Sequence, residues 1–148
     1  MVEKSMMAGW GDMDFNGHMR NTAYLDKSAD VRMQFFSENG FAMQEFSRRK
    51  LGPVILRDEL EYRREVGLLE MVRVTLQLSG LSDDGSRWAM CNEFYRSDGA
   101  LSARVLSFGG WLDLATRRLT APPEDLLSAL KQLPRSSDFQ NFAGINRE

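Results

Sequence analysis

The stretch Gly11-Asp12-Met13-Asp14-Phe15-Asn16-Gly17-His18-Met19-Arg20-Asn21-Thr22-Ala23-Tyr24 joins an extended segment to a helix, and that junction sets the fold. Upstream, Glu3 to Gly11 reads as a first strand that delivers Asp12 and Asp14 to its end. Asn16-Gly17 supplies a turn, and from Thr22 to about Glu38 the pattern is helical. A carboxylate is thereby held beside a helix start, where backbone N–H groups lack partners and the dipole is positive. One geometry offers a base or nucleophile together with a site for developing negative charge.

In the helix, Leu25, Ala29, Met33 and Phe36 fall on one face, widened by Tyr24, Val31 and Phe35. Asp26, Lys27, Asp30 and Gln34 are expected in solvent. Asn39-Gly40 stops the helix, and Phe41 to Lys50 adds a short helical piece before Gly52-Pro53. Strands follow. Val54 to Val66 alternates, with Asp58 breaking the pattern on the apolar side. In Met71 to Ser79, Val72, Val74, Leu76 and Leu78 alternate with polar neighbours. Such alternation marks a sheet with one buried face. Asp83-Asp84-Gly85 and Ser97-Asp98-Gly99 turn the chain into Arg87 to Arg96 and then Leu101 to Leu114, an antiparallel meander. Phe108-Gly109-Gly110 reads as a bend in that last strand.

The expected fold class is α+β, with one long helix lying across an antiparallel sheet of about five strands. A helix of about 17 residues spans ~25 Å, and five strands at ~4.8 Å spacing are about as wide. A single domain over residues 1–148 is expected. Its core is about 1–121, its C-terminal helix about 123–133 after Pro122-Pro123, and its loose polar tail 134–148.

With 148 residues, 43% of them apolar and 27% charged, the chain is ordinary for a globular protein with its own core. A net charge of -2 and a pI near 5.5 argue against a nucleic-acid binder. The one cysteine, Cys91, lies in an apolar stretch and reads as a buried thiol in a reducing compartment. No apolar run reaches the ~18 residues of a membrane span. No basic-then-apolar leader opens the sequence, so the expected location is cytoplasmic. One histidine and one cysteine far apart give no metal-ligand spacing. Gly-x-Ser-x-Gly, Gly-x-Gly-x-x-Gly and Walker patterns are absent from the sequence.

Order, lengths and motif together resemble the hotdog-fold thioesterases of the 4-hydroxybenzoyl-CoA thioesterase-like family. That family's pattern runs Gly-Asp-x-Asp-x-x-Gly-His-x-x-Asn-x-x-Tyr, and here Gly11, Asp12, Asp14, Gly17, His18, Asn21 and Tyr24 fill every listed position. The exit from Trp111-Leu112-Asp113 to Pro122-Pro123-Glu124 is similar too. The sequence departs from many relatives at Arg20, where they carry Asn, and at Glu65-Val66-Gly67-Leu68.

The resemblance implies hydrolysis of an acyl-CoA or acyl-carrier-protein thioester to free acid and thiol. Asp14 would carry catalysis, as general base or as nucleophile, and the backbone amide of Asn21 would polarise the carbonyl. Gly17 permits a positive φ, and His18 fixes the loop that presents Asp14. Tyr24 is a substrate-binding candidate. Asp58 and Glu59 are candidates for the pocket wall supplied by a partner subunit. Arg96 and Arg104, with Arg117 and Arg118, are candidates for the coenzyme A phosphates. No metal or cofactor is expected, because coenzyme A belongs to the substrate. A homodimer or dimer of dimers is expected, with sites where domains join edge to edge.

Plainer readings stand beside these: Asp14 as a turn acid, Asn21 as a helix N-cap, Tyr24 as core and the arginines as solvated charge. Two other functions compete, a non-catalytic acyl-thioester-binding module and a hydroxyacyl-thioester dehydratase. The intact Asp14, Gly17 and Asn21 set weighs against a mere binder. A sole histidine on the Asp14 loop fits dehydration poorly.

Overall fold

The computed structural model describes residues 2–145. Strand β1 (Val2–Met7) leads into the long helix α1 (Asn21–Glu38) and the short α2 (Met43–Arg48). The strands β2 (Leu51–Tyr62), β3 (Met71–Ser82), β4 (Arg87–Tyr95), β5 (Leu101–Asp113) and β6 (Arg118–Thr120) follow, then α3 (Glu124–Lys131) and β7 (Arg135–Phe142). The main sheet order is β1-β3-β4-β5-β2, with β6 on β5 and β7 on β3. All pairings are antiparallel except β3 with β7. The expected meander of β3, β4 and β5 is present, and the helix lies on the inner face of the sheet.

Two strands exceed the five expected. In the expected tail, residues 135–142 form β7, which extends the row on β3 that β1 leaves at Leu76, while residues 146–148 lie outside the described residues. Between Leu78↔Arg135 and Gly80↔Gln140 the register jumps, so residues 136–139 loop over the outer face. Ser136 Oγ lies 2.7 Å from Ser79 Oγ, and Arg104 donates to Asp138 at 2.9 Å. Phe142 fills the space a side chain at position 80 would need, which Gly80 leaves open.

Strand β1 is also shorter than expected. It stops at Met7, and Trp10–Asp12 forms a 3-10 turn closed by the Gly9 N–H donating to Asp12 Oδ2 at 2.8 Å. Asp12 and Asp14 therefore sit in a separate loop. Strand β5 runs through Gly109 and Gly110 without interruption. The glycine at 109 is required because a Cβ there would overlap the Trp88 ring and the Val54 carbonyl.

The face that α1 buries differs from the apolar stripe. Ala23, Tyr24, Lys27, Ser28, Val31, Arg32, Phe35 and Phe36 are buried, whereas Leu25, Ala29 and Met33 are half-buried on its flank. The buried set still follows the helical spacing. Its C-terminal half closes on an aromatic cluster, with Phe36 centred 5.7 Å from Trp111 and 5.8 Å from Phe46. Phe41 and Trp88 complete it at 5.4 Å from Phe46 and 6.1 Å from Trp111. Burial of each such ring contributes roughly 1.5–3 kcal/mol, so this cluster anchors the helix to the sheet. Cys91 is buried, as expected, and burial pushes its thiol up to about 11.

Candidate active site

The motif forms a small hairpin. Arg20 N–H donates to the Asp12 carbonyl at 2.8 Å and Asp14 N–H to the His18 carbonyl at 2.7 Å, while Met13 bridges Met19. At the tip, Gly17 N–H donates back to the Asp14 carbonyl at 3.2 Å, with Gly17 at φ 77° as the turn requires. The Asp14 side chain closes the loop from within. Its Oδ1 accepts from Asn16 N–H at 2.8 Å and His18 N–H at 3.0 Å. The His18 bond outweighs an opposing desolvation and, with the Asn16 bond behind it, holds the carboxyl below its ordinary range. Asp14 is thus a turn acid and an ionised carboxylate at once, and it is exposed in the single chain.

The returning arm of the hairpin runs straight into α1. Arg20 is the N-cap residue, with extended backbone and no side-chain cap bond, and Asn21 is the first helical residue rather than the cap. An amide at that position has no intrahelical acceptor. Arg20 also ties the helix start to the hairpin's base. Its Nε donates to Thr22 Oγ1 at 2.7 Å and its Nη1 to the Gly11 carbonyl. Asp14 lies one pair of residues, or ~6.8 Å along an extended strand, from the level of Arg20.

The outgoing arm is held by an ion pair that sequence reading placed in solvent. Lys27 is buried on α1, with Nζ 3.0 Å from Asp12 Oδ2 and within 3.4 Å of the Met7 carbonyl. Burial would raise the Asp12 carboxyl, but the Gly9 N–H and the Lys27 ammonium outweigh it and the net shift is downward. The available signal was spacing, since Lys27 stands four residues from both Ala23 and Val31 on the buried face.

His18 acts on the loop through its backbone. Its imidazole is part-exposed, with Nε2 3.9 Å from Glu65 Oε1, while its main chain bridges Gly67. Met19 N–H donates to the Val66 carbonyl at 2.8 Å, so the loop between β2 and β3 carries the hairpin. Arg96 braces that loop by donating to the Glu65 carbonyl at 3.1 Å. Tyr24 reaches the same loop from α1. Its hydroxyl is 3.1 Å from Ser102 Oγ, which donates to the Arg64 carbonyl at 2.7 Å. Burial raises the Tyr24 phenol.

The remaining candidates separate by face. Asp58, opposite Ser107, faces α1 and accepts from Ser107 Oγ at 2.6 Å. Glu59, opposite Leu106, and Arg104 lie on the outer face, where Arg104 is bonded to Asp138 beneath β7. The period-two alternation of strands puts both on the wrong side of the sheet for Asp14. Arg117 ends the β5–β6 turn at φ 60° and Arg118 opens β6 opposite Asp113. Tyr62, not singled out from sequence, lies edge to face with Tyr24 at 5.4 Å and is 52% exposed beside the helix start. Among the described residues no cluster of three potential metal ligands occurs, and no helix is long and apolar enough to cross a membrane.

One hairpin thus carries an ionised carboxylate at its turn and leads on its return arm into a helix-start amide, the kinds of group that acyl transfer uses. Solved structures share the fold. A hypothetical protein from Staphylococcus aureus, solved in complex with CoA, is 21% identical over 92% of this chain and 87% of its own, with a TM-score of 0.80. A 1,4-dihydroxy-2-naphthoyl-CoA thioesterase from Synechocystis is 14% identical over 89% and 96%, with a TM-score of 0.79. The probable thioesterase YbaW from Escherichia coli is 20% identical over 91% and 100%, at 0.76. No curated protein matches. The hotdog fold is common to these structures and to this chain, and the family pattern that matches residues 8–130 is that of the thioesterase-like superfamily, to which the chain belongs.

Proposed function

We propose that the chain is a hydrolase of acyl-CoA thioesters. The observation that carries this reading is the hairpin itself: its turn holds Asp14 ionised, and its return arm ends at the unpaired amide of Asn21. Asp14 either takes a proton from a water that attacks the thioester carbonyl or attacks the carbonyl directly. The oxygen gathers negative charge and is held by the Asn21 N–H, and the thiolate of coenzyme A departs. The CoA bound to the staphylococcal structure supports CoA rather than a carrier protein as the thiol. A cytoplasmic location is supported by the single buried thiol.

A second copy completes the site in this reading. β2 is the long free edge of the sheet, and Asp14 stands in water unless something covers it. Trp10 and Phe15, 82% and 103% exposed, flank the hairpin as apolar surface for such a cover. Asp58, on the edge strand and facing inward, is the acid that the partner brings towards the site. Light scattering on the eluting protein should give twice the chain mass or a multiple of it. A fully active monomer would remove the second copy from the mechanism.

The decisive measurement is turnover of Asp14→Asn on a panel of acyl-CoAs with a thiol reagent. We expect kcat to fall about 100-fold or more, with the circular dichroism spectrum unchanged. Undiminished turnover in the folded variant would sink the assignment. It would then favour the acyl-binding module.

A further inference from the structure

Strands β4 and β5 lie between β2 and β3, so the loop joining β2 to β3, residues 63–70, crosses the end of the sheet. It is held at each strand it passes. At the start of β5 the Ser102 carbonyl accepts from the Arg63 and Arg64 N–H groups at 2.8 Å and 3.0 Å. Just past the end of β4, Arg96 reaches the middle of the loop. The loop in turn carries both ends of the segment that bears Asp14. Val66 accepts from the Met19 N–H at 2.8 Å. Ala8 donates to the Glu70 carbonyl at 2.9 Å and accepts from the Leu69 N–H at 2.7 Å. Ala8 and Met19 bracket Asp12 and Asp14, and Asn21 follows directly after Arg20. A shift of the loop therefore moves the hairpin at both ends.

One guanidinium pins that loop. Arg96 Nη1 donates to the Glu65 carbonyl at 3.1 Å, and Nη2 lies 3.4 Å from Asp98 Oδ2. Its Nε, sealed from solvent, faces Glu70 Oε2 at 3.6 Å, an ion pair without a hydrogen bond. The other oxygen of that carboxylate, Oε1, accepts from the Gly67 N–H at 3.3 Å, and Gly67 is the residue that bridges His18. The β4–β5 turn fixes the Arg96 backbone. Its N–H donates to the Ala100 carbonyl and its carbonyl accepts from the Gly99 N–H, both at 2.9 Å. The Arg96 and Glu70 side chains are 28% and 19% exposed, so their attraction is less screened than that of a pair in open water. A planar fork of donors can address a carbonyl and two carboxylates at once. A coenzyme A phosphate brought to the same fork would meet both acids.

We propose that Arg96 and Glu70 form a clasp that positions Asp14 relative to the Asn21 amide, acting through the crossing loop on both ends of the hairpin. They are positioning residues, and neither touches the substrate. The proposal deepens the thioesterase reading and rests on it. It replaces the expectation that Arg96 holds a coenzyme A phosphate. The effect is geometric. Acyl transfer needs the attacking group and the donor to the carbonyl oxygen at a fixed separation, and a misplacement of about 1 Å can cost about 100-fold in rate.

The test measures kcat and KM on the best substrate of the acyl-CoA panel, together with hydrogen exchange of the backbone amides. Its variants are Arg96→Met, Glu70→Gln and each of these combined with Asp14→Asn. Arg96→Met should lower kcat about tenfold or more while KM stays within about threefold. Glu70→Gln, which keeps an acceptor for Gly67, should lower kcat about threefold or more. In the Asp14→Asn background neither change should bring a further loss, because the clasp works through that carboxylate. Exchange should quicken at the Ala8, Met19 and Leu69 amides and stay slow in β4 and β5. A phosphate contact predicts another pattern: KM rises with kcat kept in Arg96→Met, and KM falls in Glu70→Gln. That pattern, an unchanged kcat in either folded variant, or a further loss in Asp14→Asn overturns the proposal. Should Arg96→Met fail to fold, Glu70→Gln decides alone. If no acyl-CoA is cleaved, or turnover survives Asp14→Asn, the hydrolase reading fails and exchange judges the clasp. Quickening confined to those three amides then upholds it, and unchanged exchange overturns it.

Discussion

The two halves of helix α1 bury equally but are built from opposite materials. Towards its C-terminal end its inner face meets Phe46 and Trp111, which packs on Trp88, and the indole N–H groups of both tryptophans find carbonyls at 3.2 Å and 2.9 Å. Before Val31 the same face carries Tyr24, Lys27 and Ser28, with Arg32 just beyond, and two of these buried polar groups keep unsatisfied atoms. Polar burial without partners is destabilising, so the aromatic end offsets what the polar end costs. The difference assigns stability to one end of the helix and chemistry to the other.

The largest effect should come from truncating the aromatic end. Trp111→Ala removes a fully buried ring and should cost about 3–5 kcal/mol in chemical denaturation. Near-native stability would break the division. At the other end, Lys27→Met strands the Asp12 carboxylate against the Gly9 N–H alone. It should cost about 1–3 kcal/mol and lower turnover as well, because Asp12 anchors the hairpin bearing Asp14. Turnover unaffected at equal folding would make that pair purely structural. Tyr24→Phe deletes the link to Ser102 and should cost about 1 kcal/mol, read as a shift in the denaturation midpoint.

The smallest effect is on pH. Asp12 and Asp14 both titrate below 3.8 in the folded chain. Their contribution to stability is complete above that unfolded value and is lost only as pH falls through the lower folded values. If ionised Asp14 drives hydrolysis, the acid limb of the rate of the free enzyme should lie below pH ~4. A limb near pH 6 would point to another group.

Much of this architecture is legible in the residues. The strands of the meander announce themselves because one face of each is apolar and the other wet, and Asn39-Gly40 ends the helix where expected. Lys27 and Arg32 escaped notice because a charged residue in a helical stretch ordinarily faces water. For Lys27 the Asp12 carboxylate makes burial tolerable, and the Arg32 guanidinium lies over the Trp88 ring at 5.9 Å. Strand β7 escaped for the converse reason. Ser136 and Asp138 earn their place through hydrogen bonds to Ser79 and Arg104, which leave no hydrophobic rhythm to read. The site loop was found by its motif, yet its true form rests on a local bond between Gly9 and Asp12 that no periodicity encodes.

The edge strand β2 carries a bulge between Ile55 and Arg57, followed by the charged run Arg57-Asp58-Glu59 and then Glu61. A kinked border studded with ions is a poor template for stray polypeptide, since a newcomer must match both the offset and the charges to dock. The feature therefore works as a gatekeeper: it keeps the longest open margin of the sheet from seeding fibrous aggregates, and it reserves that margin for a strand of complementary register.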